Sequence, residues 1–227
     1  MSVTTEDLEA TPPAATRTPL SRERVLEAAL RYVDEHGLEA LSLHKLGAEL
    51  GVKAMSLYNH VDGKDGLLDG LVELLWREMA SVDDSRDWRL RLRDLARGVR
   101  ETVVRHPSAA PLLMIRPVLP VGALRIAKGH LDKLQEAGFS RRRAVEVLRA
   151  VLAYAFGSAL SERCWSCVAT TSESDLARLR RVSQLLPADV PDDLLAVAID
   201  LCGDCDAEGC FDLGLDLMLE GLQPRPA

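Results

Sequence analysis

Five cysteines stand in the last third of the chain and none before it: Cys164 and Cys167 in CWSC, Cys202 and Cys205 in CGDC, then Cys210. Two C-x-x-C units suit tetrahedral zinc, because two thiolates three residues apart at a turn can grip one ion, and Gly203 would ease such a turn. Cys164, Cys167, Cys202 and Cys205 are therefore a candidate zinc site, structural or sensing. The same thiols, Cys210 included, suit a redox switch, and Asp204, Asp206 and Glu208 offer oxygen ligands as an alternative. Cysteine is also an ordinary small core residue and an acidic loop an ordinary solvated one, so packing competes with all of these.

A second constellation lies in "SLHKLGAELGVKAMSLYNHVDGK", residues 42 to 64. Ser56, Tyr58, Asn59 and His60 offer polar edges, a hydroxyl, a phenol, an amide and a ring nitrogen, which suit hydrogen bonding to a partner rather than bond breaking. Apart from the cysteines, no nucleophile with its base and no metal with an open position is visible, which argues against an enzyme. Charge sets a limit as well. The net charge is -7, and between Ser21 and Gly66 six Lys or Arg face eight Asp or Glu. That disfavours indiscriminate nucleic-acid binding and leaves room for a local, specific site.

The elements that must position these residues are helices. Residues 1–19 are rich in Thr, Pro and Ala and read as a flexible tail. Ser21 can cap a first helix in which Val25, Leu26, Ala29, Leu30 and Val33 recur at helical spacing, and Gly37 ends it. Ser42 starts a second, short helix with Leu43, Leu46 and Leu50 inward, and Gly51 stops it. A third short helix spans roughly Lys53 to His60, with Met55, Leu57 and Val61 able to pack back. Two short helices about a glycine turn form the device that presents the second of them to the DNA major groove, although any small helical bundle contains such turns. From Leu67 to Met79 a long apolar-periodic helix follows. Others are expected near Trp88 to Arg105, Val121 to Ala137, Arg141 to Ser161, Asp192 to Leu201 and Phe211 to Leu222. Only 4% of residues are aromatic and no period-2 alternation is sustained, so the class is all-α. The division is 1–19 tail, 20–66 helix-turn-helix domain, and 67–227 a larger helical domain. No apolar run approaches the roughly 20 residues of a membrane span and no secretory leader is visible, which points to the cytoplasm with reduced thiols.

The stretch "RVLEAALRYVDEHGLEALSLHKLGAELGVKAMSLYNHVDGKDGLLDGLVELLW" resembles the TetR family of one-component bacterial repressors. The segments "RHPSAAPLLMIRP", "LQEAGFS", "AVLAYAFGSALSE" and "GCFDLGLDLMLEGL" resemble the C-terminal domain of its tetracycline-repressor branch in the same order. The resemblance implies a homodimeric repressor on double-stranded operator DNA, released by a small-molecule effector. It places Ser42 and His44 where the second helix meets phosphate and a base edge, Ala54, Met55, Ser56, Tyr58 and His60 on the recognition helix, and Lys64 on phosphate. Lys45 and Lys53 can join these contacts, and Asn59 offers a further polar edge. Ala54 and Met55 replace residues that read operator bases in that branch, so the operator should differ; apolar side chains can still meet a thymine methyl. With few cations per subunit, a palindrome of two half-sites about one helical turn apart is expected.

The resemblance also implies a dimer through a four-helix bundle of the "AVEVLRAVLAYAFGSAL" and "FDLGLDLMLEGL" helices, and an effector pocket whose filling tilts the linking helix. Leu112 (or Leu113), Leu95 and Ala80 stand where that branch holds a drug-borne magnesium and the drug's polar edge, which argues against tetracycline. A mostly apolar pocket lined by Leu95, Val99, Leu112, Met114 and Tyr154 is expected, with Arg116 able to anchor an anionic group. Core packing explains the same residues. The chemical alternative is a metal- or thiol-responsive regulator built on the five cysteines.

Overall fold

The computed structural model describes residues 19–79, 87–116, 119–166, 189–202 and 206–224, with 180, 183, 184, 186 and 187 between them. The expected tail therefore lies almost wholly outside the described residues. The fold is all-α: α1 (Arg22–His36), a 3₁₀ turn (Leu38–Ala40), α2 (Leu43–Glu49), α3 (Ala54–Leu57), α4 (Gly63–Met79), α5 (Trp88–Arg105), α6 (Leu112–Ile115), α7 (Val121–Glu136), α8 (Arg141–Ser166), α9 (Asp192–Cys202) and α10 (Ala207–Glu220).

Local chemistry sets most of these boundaries. Ser21 caps α1 by accepting from the Arg24 backbone N–H at 3.3 Å. Gly37 ends it at φ 83° and ψ 159°, a conformation open to glycine alone. Asp87 caps α5 by accepting from the Arg89 and Leu90 N–H groups, and Asp206 caps α10 through Gly209. The last cap is why α10 begins at Ala207, four residues before its expected start at Phe211. The short α6 has no counterpart in the expectations, because four residues after Pro111 are too few to show a period.

One continuous core runs from Val25 of α1 to Leu219 of α10. α1 and α2 form a small head with α3, and α1 seats on α4. α4 then packs on α5, α6 and α7, while α8 lies against α5, α7 and α10. The stretch Arg141–Glu162 of α8 is long and apolar enough to cross a membrane by length and composition, which corrects the expectation that no such run exists. Its apolarity serves the core instead. Ala144, Val147, Val151, Ala155 and Ala159 are buried at helical spacing.

The opposite face of α5 is ionic. Arg89 donates to the Leu219 and Leu222 carbonyls at the end of α10, Arg93 pairs with Asp216, and Arg97 with Asp212 at 2.8 Å. Arg100 grips Glu162 of α8 through two hydrogen bonds, at 2.6 and 3.2 Å, in a largely buried pair. Arg89, Arg93 and Arg97 fix α10 along α5, and Arg100 fixes α8, by geometry that apolar contact alone would leave free to slide.

Candidate nucleic-acid interface and effector cleft

The head is shaped by two glycines. Gly51 takes φ 65° at the turn between α2 and α3, where a side chain would be strained. Gly47 is buried within α2, and a Cβ there would stand 3.0 Å from the Val52 carbonyl and 3.2 Å from the Ala54 nitrogen. Its bareness lets the α3 backbone approach α2, and the Val52 N–H donates to the Gly47 carbonyl at 2.8 Å. Gly51 is legible from the sequence; Gly47 reads there as one more small residue in a helix.

The third helix is shorter than the span of Lys53 to His60 expected for it. Only Ala54–Leu57 is α-helical, and the His60 N–H donates to Leu57 three residues back, which tightens the chain into a turn before Gly63 at φ 68° opens α4. The side chains divide cleanly. Leu57 and Val61 are buried, whereas Met55 is 75% and Tyr58 52% exposed. Met55 therefore does not pack back as its spacing suggested; it stands outward beside Tyr58. His44, Lys45, Lys53, Asn59 and Lys64 are exposed, and Ser42, Ala54, Ser56 and His60 partly so. Ser42 already has work as the cap of α2, accepting from the Lys45 N–H at 3.3 Å. The surface around α3 thus gathers hydroxyl, phenol, amide, imidazole and ammonium groups about one exposed methionine, a set able to meet phosphates and a thymine methyl.

Arg116 ends α6 and donates to Asp65 at 2.8 Å and to Asp69, both on the first turns of α4. The two carboxylates hold its guanidinium above the ordinary range. Arg116 is consequently not a free anchor for an anionic ligand; it fastens α6 to the start of the linking helix beside Lys64. The other expected pocket residues differ in exposure among the described residues. Leu95, Val99 and Leu112 are sealed in the core, Met114 is largely exposed, and the Tyr154 hydroxyl donates to the Phe211 carbonyl at 2.8 Å. Ala80 lies outside the described residues.

An open cleft instead lies between α4 and the start of α7. Its volume is about 690 Å³, and Trp76, Pro120, Val121, Ala123 and Ile126 line it under a rim of Glu73, Arg77 and Arg125. None of the expected pocket residues lines it. The rim is already engaged with the head: Glu73 pairs with Arg22 at 3.0 Å and Arg77 with Glu23 at 2.9 Å, both on α1. One turn beyond Ile126 on α7, His130 is buried, and its Nδ1 has no hydrogen-bond partner among the described residues. Burial, and secondarily the charge of Arg91, lowers its pKa to about 4, so the ring is neutral near pH 7. Sequence reasoning missed these residues because a tryptophan, a histidine and surface charges scattered over two helices leave no shared period.

Of the cysteines, Cys167 and Cys205 lie outside the described residues, and Cys164 and Cys202 are described only as helical backbone. Cys210 is exposed on α10. Among the described residues no three His, Cys, Asp or Glu side chains gather to hold an ion, and nothing there supports zinc.

Residues 25–71 match the family described as "Bacterial regulatory proteins, tetR family", and residues 82–225 match "Tetracyclin repressor-like, C-terminal domain". The chain belongs to the TetR family. The tetracycline repressor protein class A of Escherichia coli transposon 1721 is 30% identical over 92% of this chain and 93% of its own length. The HTH-type transcriptional repressor DrrR1 of Streptomyces coeruleorubidus is 32% identical over 66% of this chain, which spans 57% of that protein. Among solved structures, a possible TetR family transcriptional regulator from Streptomyces coelicolor A3(2) superposes with TM-score 0.69 at 26% identity, covering 88% of this chain and 98% of that one. As a TetR-family protein this chain is a DNA-binding transcriptional repressor with a ligand-binding C-terminal domain, and not an enzyme.

Proposed function

We propose that the protein is a homodimer that represses transcription from a palindromic operator and is released by an organic effector seated in the cleft between α4 and α7. One observation carries the reading: α4 opens with Lys64, and its later turns both seat α1 of the head and wall the cleft. Glu73 and Arg77, on the cleft rim, are also the partners of Arg22 and Glu23 on α1. A ligand that takes either group competes with an α1–α4 pair, and its binding energy is thereby spent on the orientation of the head. Ser42, His44, Lys45, Lys53, Ala54, Met55, Ser56, Tyr58, Asn59, His60 and Lys64 form the operator surface in this reading.

The cleft suits an apolar molecule of drug-like size carrying an anionic or polar edge for Arg77 or Arg125, with neutral His130 within one helical turn. Dimerisation is supported by faces that a lone subunit leaves to water: Leu213 and Leu217 on α10, and Ala153, Gly157 and Leu160 on α8. The metal- or thiol-responsive alternative draws no support from the described residues. The test is titration of fluorescent DNA fragments from the protein's own upstream region, followed by displacement with apolar acids while Trp76 fluorescence is recorded. Specific binding that is reversed by a compound quenching Trp76 is the expected result. Release without any change at Trp76, or release by tetracycline and magnesium through other residues, would overturn the cleft assignment.

A further inference from the structure

His106 follows α5 as its C-terminal cap and is only 8% exposed, and both ring nitrogens meet carboxylates. Nδ1 lies 2.7 Å from Asp34 Oδ2 and Nε2 3.0 Å from Glu78 Oε2. Asp34 belongs to α1 and Glu78 to the last turn of α4, so one imidazole joins the head, the linking helix and the effector domain. A carboxylate accepts and does not donate; the ring fills both bonds only as an imidazolium with two N–H groups. A neutral ring turns a lone pair toward one of the two carboxylates.

The surrounding charges sharpen this dependence. Among the described residues the ring is faced by Asp34 from α1, Glu78 from α4 and, through Glu78 at 3.1 Å, Arg105 from α5. With the ring protonated the four charges cancel; without that proton one negative charge is left over. Asp34 Oδ1 is itself buried with no hydrogen-bond partner among the described residues, so the bond to His106 is what holds this carboxylate.

We propose that His106 is a proton-dependent clasp that fixes the DNA-binding head on the effector domain, an inference that rests on the operator-binding reading above. The head reaches a half-site in register only while its orientation is held, and the clasp adds to the exposed Arg22–Glu73 and Glu23–Arg77 pairs a buried, directional tie that also reaches the end of α5. His106 is thus a positioning residue: it touches no DNA and acts through α1.

The test compares the full chain with His106→Gln, which can donate but carries no titrating charge. Affinity for the upstream fragment is measured at fixed salt between about pH 6 and 8, the range in which histidines change charge. At the acid end the variant is expected to bind about tenfold more weakly, the scale of one charge-assisted hydrogen bond. The ratio of the two affinities is expected to shrink toward one as pH rises, and every other histidine is common to both proteins. Amide hydrogen exchange should also quicken in Arg22–His36 and leave α8 unchanged. Parallel pH profiles, or unchanged exchange in α1, would overturn the clasp. Should the wild type bind no upstream fragment, the operator reading fails while the exchange comparison still decides the clasp. Asp34→Asn and Glu78→Gln, of the same shape, repeat both measurements if His106→Gln does not fold.

Discussion

The seating of α1 on α4 depends on the absence of a side chain at Gly70. A Cβ there would stand 2.9 Å from Leu26 Cδ1 and 3.2 Å from Leu26 Cγ, with Cδ2 nearer still, against about 3.5–4.0 Å for a relaxed carbon contact. Rotation about χ2 of Leu26 exchanges the methyls but leaves Cγ in place, and Leu26 is 1% exposed. Gly70→Ala must push α1 outward or force Leu26 off its rotamer, at about 1–3 kcal/mol. Alanine returns up to about 1 kcal/mol of helix propensity, so a net loss of about 1–2 kcal/mol is expected. At roughly 2–4 °C per kcal/mol for a chain of this size, Tm falls by about 2–8 °C. Leu26→Ala alone opens a cavity costing about 2–5 kcal/mol. Combined with Gly70→Ala it costs less than the sum, because the new methyl occupies part of that cavity. Urea unfolding of the four proteins at one protomer concentration measures the coupling. A Gly70→Ala protein as stable as the wild type, or strictly additive effects, would refute the steric argument.

Other expectations follow from the same geometry. Lys64→Ala should weaken operator binding and flatten its salt dependence by about 0.9 for each phosphate the lysine neutralises, hence by roughly twice that for a dimer. Tyr58→Ala should weaken binding with unchanged unfolding, since its ring is half exposed; equilibrium titrations at several salt concentrations check both. Leu217→Asp, on the exposed face of α10, should yield monomers in sedimentation velocity with helical content retained, and an intact dimer would remove that face from the interface. His130 has a folded pKa of about 4, below its unfolded value. The unfolded chain then binds the extra proton between about pH 6.5 and 4, so stability falls as pH falls through that window, by up to about 3 kcal/mol. His130→Gln should flatten the dependence of urea midpoints on pH in this range.

Most of the architecture was legible because it is written in local terms. Ser21 and Ser42 cap, Gly37 and Gly51 break, and the apolar spacing of α4, α5 and α8 names their buried faces within a few residues. The cleft between α4 and α7 was not legible for an equally physical reason. Leu95, Val99 and Leu112 carry the apolar signature of a pocket wall, but the same signature marks a core, and in this fold the core claimed them. What couples the two halves is charge at long separation: Arg22 with Glu73, Glu23 with Arg77, Asp34 with His106, and Asp65 and Asp69 with Arg116. The acidic residues and the arginines of α1 and α4 among them, taken each in its own helix, read as solvated surface. Only the packing of α1 and α6 against α4, and of His106 at the end of α5 against both α1 and α4, pairs them, and in the proposed reading pairing changes their meaning from solubility to control. Under the proposed function a ligand or a proton that alters one partner is expected to alter the seat of the head, whereas a change in the apolar core between them would cost stability in every state alike.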